Sequence, residues 1–188
     1  MTTTERAFTA TTPFVCVFSG VPGTGKSTLA EAITQETHAA LINWDWLMSA
    51  VRVFPEVWAA TNEIETRRDL GYELMSRMIE SRLRLSQSSV TDCVARPRAL
   101  SKWADLADQY GAQFFVVECF LDDAADHRSR VVGRSRDIPG WYELEWNQVA
   151  ASRTLYEPLP SPKLLVDAAN PIRQNLNDVR TYLGLADA

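Results

Sequence analysis

The stretch Gly20-Val21-Pro22-Gly23-Thr24-Gly25-Lys26-Ser27 meets every fixed position of the phosphate-loop pattern G-x-x-x-x-G-K-[ST]. The run before it, Phe14-Val15-Cys16-Val17-Phe18, reads as a short apolar strand, and Thr28-Leu29-Ala30-Glu31-Ala32-Ile33 after it opens a helical pattern. Strand, glycine loop and helix start are the context in which the pattern carries chemistry. The glycines let consecutive N–H groups curl around a polyphosphate, and the helix N-terminus adds its partial positive charge. Lys26 is expected to reach the β- and γ-phosphates, and the Ser27 hydroxyl to ligate Mg²⁺. Thr24 and Thr28 offer further hydroxyls. ATP and Mg²⁺ are therefore the expected cofactors.

Working outward, strands alternate with helices five times. Strands are expected at 14–19, 40–45, 89–94, 113–121 and 163–167. Helices are expected at about 26–37, 46–53, 61–85, 100–110, from Asp122 or Asp123 to 132, 142–155 and 172–183. Continuous apolar strands with helical crossovers imply an α/β fold: a parallel sheet covered on both faces, with sites outside the C-terminal strand ends. In the long third helical pattern, Leu70, Leu74, Met75, Met78, Ile79 and Leu83 form one stripe, and Arg67, Arg68, Arg77, Arg82 and Arg84 lie mostly off it. Gly133 to Tyr142 is polar and arginine-bearing, as in a loop.

Composition bounds the rest. With 188 residues, 46% hydrophobic and 23% charged, the chain suits one globular domain, residues 13–188, after a flexible tail at 1–12. The net charge of −5 speaks against a nucleic-acid or anionic-membrane surface, and no apolar run reaches membrane-span length. Cys16, Cys93 and Cys119 fall inside expected strands without metal-site spacing, and read as free core thiols of a cytoplasmic protein. Neither His38 nor His127 has the neighbours of a metal ligand.

Two carboxylates, Asp45 and Asp92, fall at strand ends beside the phosphate loop. A magnesium-nucleotide site needs one such group on the metal side, and transfer to a hydroxyl needs a base. The residues alone leave the two roles exchangeable; the preferred reading is Asp45 as base and Asp92 with Ser27 on the metal side. Arg128, Arg130, Arg134 and Arg136 form a candidate lid, at about 128–146, that neutralises phosphate charge. Arg130 and Arg134 are favoured; four apart, they share a helix face if the helix runs that far. Of six tryptophans, Trp103 fits a core stripe, whereas Trp44, Trp46, Trp58, Trp141 and Trp146 gather around the second strand end and the lid. They suggest an aromatic-walled acceptor pocket, with Asp45, Trp46, Arg96 and Trp141 as its candidate contacts.

On the phosphate loop, Asp45, Asp92 and Arg130-x-x-x-Arg134, the chain resembles the small P-loop kinases of the AAA_33/zeta-toxin-like group. Chloramphenicol phosphotransferase, gluconate kinase and shikimate kinase are broader relatives. The resemblance runs from about Phe14 to Leu183, and 165–171 is similar to the group's last strand and adenine-side loop, which brings in Asn170. It implies a P-loop NTPase three-layer sandwich with strand order 2-3-1-4-5. It also implies transfer of the ATP γ-phosphate to a hydroxyl, with Asp45 as base and lid arginines over the phosphates. The expected acceptor is a small molecule such as an antibiotic, a nucleoside or another secondary metabolite, bound by a monomer or homodimer without nucleic acid. A zeta-toxin-like or polynucleotide kinase, or an ATPase switch without an acceptor, is the alternative.

Overall fold

The computed structural model describes residues 12–185, so all but the last residue of the expected 1–12 tail lies outside the described residues. The chain runs β1 (Phe14–Ser19), α1 (Lys26–Thr37), β2 (Ala40–Asn43), α2 (Trp44–Arg52), α3 (Pro55–Ala60) and α4 (Ile64–Leu83). It continues with β3 (Ser89–Cys93), α5 (Pro97–Gln109), β4 (Gln113–Phe120), α6 (Ala124–Val131), α7 (Trp146–Thr154), β5 (Leu164–Asp167) and α8 (Ile172–Leu183). The five strands form one parallel sheet in the order β2-β3-β1-β4-β5.

Alternation along β1 builds the two sides of the sandwich. Val15 and Val17 point into a cluster with Tyr72, Met75, Ile79 and Leu83 of α4 and Leu100 and Trp103 of α5. Cys16 and Phe18 point the other way, against Leu29 and Ile33 of α1 and Val179 of α8. Both faces of β1 are covered, which is why it reads as unbroken apolar sequence. The three thiols are free and buried, and burial pushes Cys119 up to about 12.

Several expectations shift. The second strand stops at Asn43, because its side-chain oxygen accepts the Trp46 N–H at 3.1 Å and caps α2. Asp45 therefore stands in the first turn of a helix and not on a strand. The helix expected from Thr61 begins at Ile64, behind the separate α3 that Pro55 starts. On α4 the fully inward stripe is Tyr72, Met75, Ile79 and Leu83, with Leu70, Leu74 and Met78 only half-buried. Asp123, not Asp122, caps α6 by accepting the N–H groups of Ala125 and Asp126. That helix ends at Val131, so Arg130 and Arg134 do not share a helix face. The segment 132–145 crosses from α6 to α7 without regular structure, and α7 starts at Trp146.

Candidate active site

The phosphate loop leaves β1 at Gly20, whose φ of +150° and setting exclude any side chain: an added Cβ would lie 2.2 Å from the Cys119 carbonyl oxygen. Thr24 is buried and its hydroxyl donates to the Val21 carbonyl at 2.9 Å, so it braces the loop from within. Gly25 is left-handed at φ +73° and hands the chain into α1, with Lys26 as the first helical residue. Ser27 is half-buried at that helix start and Thr28 is exposed.

The loop rests on a buried histidine. His127, fully buried on α6, sits between the Pro22 carbonyl (Nε2 to O, 2.7 Å) and the Arg153 guanidinium (Nη1 to Nδ1, 2.7 Å). Arginine only donates, so Nδ1 accepts and the proton lies on Nε2, directed at the loop. Arg153 also donates to the Asp122 carbonyl at 3.0 Å, and Trp146 packs edge-on against the imidazole. Burial lowers the His127 pKa, and the Arg153 and Arg130 charges add to the shift against the opposing loop hydrogen bond and Asp126. A histidine held neutral below its unfolded pKa of about 6.5 leaves the unfolded chain binding more protons as pH falls. Its stabilising contribution is complete above that pH and is lost as pH drops toward the lowered folded pKa. Unfolding temperature in the wild type is accordingly expected to fall more steeply between about pH 6.5 and 5 than in His127→Asn. Parallel curves for the two proteins in thermal melts would overturn this.

On the β2–β3 side, Asp92 is buried at 3% exposure. One of its oxygens accepts from the Asn43 amide at 2.6 Å; the other lies 3.9 Å from Lys26 Nζ and has no hydrogen-bond partner. A buried carboxylate oxygen without a donor, close to the Ser27 helix start, suits a hard cation or its water. No group of three or more His, Cys, Asp or Glu side chains gathers around a metal position among the described residues.

Asp45 faces the same opening from the first turn of α2. Burial raises its pKa, while Arg136 and Lys26 pull it back and Asp92 adds to the rise. Arg136 is paired with Asp45 and, at 3.0 Å, with Glu143. The lid segment thus lands on the carboxylate through an arginine that the sequence reading named but did not favour. Arg134 is half-buried; burial and the neighbouring Arg136 lower its pKa, and Glu143, Asp92 and Asp45 oppose the shift. Arg130 instead pairs with Asp126 and donates to the Ala168 carbonyl at 2.9 Å, on the β5 side. Asn170 is exposed on that same side, its N–H bonded to the Asp167 carbonyl.

Between these groups lies a cleft of about 400 Å³, reaching from Lys26, Asp45 and Asp92 to α4 and the lid. Trp44 and Trp141 line it. Trp141 meets Trp44 edge-on at 5.9 Å and Trp58 at 6.0 Å, and lies 4.8 Å from Tyr142, so an aromatic cluster anchors the 132–145 segment. Gly71 makes room for it: a Cβ there would fall 2.0 Å from the Trp44 indole nitrogen. Mid-helix glycine costs about 1 kcal/mol in α4, and close seating of Trp44 is its structural return. Trp46 points elsewhere and is 52% exposed, off the cleft. Arg96 lines the cleft, whereas Arg98 pairs with Asp69 outside it.

Sequence reasoning missed Arg67, Arg68, Tyr72 and Tyr156, which also line the cleft, and the His127–Arg153 support. Arg67 and Arg68 had a faint signal, as adjacent charges at the start of an apolar stripe; the others had none.

Comparison with known proteins places these features. The AAA domain family model AAA_33 matches residues 15–159. No curated protein sequence matches the chain. A sugar kinase from Janibacter sp. HTCC2649 superposes with a TM-score of 0.65 at 19% identity, over 94% of this chain and 96% of that one. A gluconokinase from Sinorhizobium meliloti 1021 gives 0.62 at 19%, over 92% and 91%. The Mycobacterium tuberculosis APS kinase CysC, solved with AMPPNP and APS, gives 0.60 at 16%, over 92% and 98%. At these identities the likeness is one of fold. With the family model covering most of its length, the chain belongs to the AAA domain family AAA_33, built as a P-loop NTPase α/β sandwich.

Proposed function

We propose that the protein is an ATP-dependent phosphotransferase moving the γ-phosphate to a hydroxyl of a small molecule. The observation that carries the reading is the placement of Asp45: a carboxylate of raised pKa faces a bounded cleft that also holds Lys26 and Asp92 of the phosphate-loop side. A nucleotide switch has no need of an aromatic-walled acceptor space beside its phosphate loop. Similarity in fold to sugar kinase and gluconokinase structures supports the same class.

In this reading, residues 20–28 cradle the phosphates, and Lys26 with Arg134 faces the charge that builds on the transferring group. Arg130 and Asn170 serve the nucleotide from the β5 side. Mg²⁺, carried by the Ser27 hydroxyl and the Asp92 carboxylate, would neutralise charge on the phosphate oxygens. Asp45 accepts the proton of the acceptor hydroxyl as its oxygen bonds to the γ-phosphorus. The bond to the β–γ bridging oxygen breaks, and ADP leaves. Residues 13–188 act as one domain with 128–146 as lid. Arg96 and Trp141 contact the acceptor together with Asp45, and Trp46 drops out of that set. Three buried free thiols suit a reducing, cytoplasmic setting, and no helix among the described residues is long and apolar enough to cross a membrane.

Incubation with ATP·Mg²⁺ and a panel of hydroxylated metabolites, read by mass spectrometry, tests the proposal. The expected result is an acceptor that gains one phosphoryl group, with little ATP turnover in its absence. Rapid ATP hydrolysis that ignores every alcohol would overturn it.

A further inference from the structure

The wall of the cleft formed by α4 and the β3–α5 turn carries three arginines, Arg67, Arg68 and Arg96. Their carboxylate neighbours do not match them in number or closeness. Arg68 pairs with Glu65, which also lies 3.9 Å from Arg98. Arg96 has Glu157 only at 3.9 Å, on a glutamate side chain that is 66% exposed. Arg67 has no ion pair among the described residues; it donates to the Trp58 carbonyl at 3.2 Å and stacks 3.7 Å over the Trp58 ring.

Two further facts set Arg67 and Arg96 apart from solvated surface charge. The Arg67 Nε is buried and has no hydrogen-bond partner, a state that costs stability unless something else fills it. Arg96 is held in place, its side chain only 15% exposed and donating to the Leu155 carbonyl at 3.0 Å. Tyr72 lines the same cleft, and its hydroxyl donates to the Val94 carbonyl at 2.6 Å, which fixes the ring in place. Stacking on Trp58 likewise holds the Arg67 guanidinium plane, reducing the order that a ligand would have to impose.

We propose that the acceptor carries an anionic group, a carboxylate or a phosphate, received by the guanidinium groups of Arg67 and Arg96 beside a ring held among Trp44, Tyr72 and Trp141. The inference deepens the phosphotransferase reading and rests on it only for the hydroxyl directed at Asp45. Guanidinium forks fit planar or tetrahedral oxyanions and discriminate against neutral isosteres, whose binding would leave a buried donor unanswered.

Calorimetry on the full chain, with AMPPNP·Mg²⁺ filling the phosphate loop, tests it with four probes: benzoate, phenyl phosphate, benzamide and benzyl alcohol. Benzoate or phenyl phosphate is expected to bind at least ~10-fold more tightly than either neutral probe. Whichever anion binds tighter identifies the group. The preference is expected to vanish in Arg67→Gln and in Arg96→Gln, to survive in part in Arg67→Lys, and to be untouched in Arg98→Gln. Equal binding of benzamide and benzoate overturns the proposal, as does no binding of either anion or a preference that survives both glutamine variants. Turnover of 3-(hydroxymethyl)benzoate and its amide separates the two claims. If neither is phosphorylated while benzoate still depends on Arg67, transfer fails and the anion site stands. If the amide is phosphorylated as well as the acid and benzoate shows no preference, the anion site fails and transfer stands.

Discussion

Asp45→Asn is expected to lower kcat/KM for the acceptor by ~10²–10⁴-fold, the usual worth of a positioned general base, while ATP binding stays within a few-fold of wild type. The asparagine keeps the size and place of the side chain in the first turn of α2 but cannot take the proton. The pH dependence sharpens the test. Burial raises the Asp45 pKa and Arg136 opposes that rise. The acid limb of kcat/KM in the wild type is therefore expected above the ordinary aspartate value of 3.8. In Arg136→Gln the opposing charge is gone, so the limb moves to still higher pH. A variant Asp45→Asn that transfers phosphate at the wild-type rate would remove Asp45 from the reaction. A limb that stays put in Arg136→Gln would assign it to another group.

The second large effect belongs to Lys26. Lys26→Met is expected to abolish measurable phosphoryl transfer and to weaken nucleotide binding, because the side chain that reaches the phosphates is lost. It also carries a folding cost that an exposed lysine would not. Asp92, 3% exposed, has Lys26 as its nearest cation at 3.9 Å, and loses it in the variant. Leaving a buried charge unpaired costs roughly 3 kcal/mol, which for a domain of this size is a fall in Tm of roughly 6–12 °C. Asp92→Asn in the same chain removes the stranded charge. The double variant is therefore expected to regain most of the lost Tm, yet no activity. If the single variant melts with the wild type, the Lys26–Asp92 pair has no structural weight. If the double variant regains transfer, Lys26 is not part of the reaction.

Much of this arrangement is legible in the sequence, and for local reasons. The phosphate loop needs glycine at positions where a Cβ cannot fit, and Gly20 against the Cys119 carbonyl is such a position. Such demands leave a pattern of fixed spacing that survives without tertiary context. The buried strands are equally readable, since a sheet covered on both faces admits only apolar runs such as 14–18. Asp45 and Asp92 were visible because they follow directly on those runs.

The far wall of the cleft was less legible, because its residues come from elements far apart in the chain. Arg67 on α4, Arg96 after β3 and Trp141 in the 132–145 segment meet only when the sheet is assembled. Nothing in the local pattern separates Arg67, which lies off the apolar stripe, from a solvated helix charge. Trp46 shows the converse error. It sits beside Asp45 in sequence, but Trp44 and Trp46 lie about 200° apart around the helix, so Trp44 lines the cleft and Trp46 is left exposed.

By itself, then, the sequence determined the phosphate loop, the parallel α/β sheet and the two carboxylates, all consequences of backbone sterics and burial that act over a few residues. Only the tertiary structure decided that Arg136, not Arg130, meets Asp45, that His127 and Arg153 carry the loop from below, and that Arg67 and Arg96 share a wall. Those choices depend on where a helix ends and which side chain a neighbouring element leaves room for. Packing sets both, and no local spacing records them.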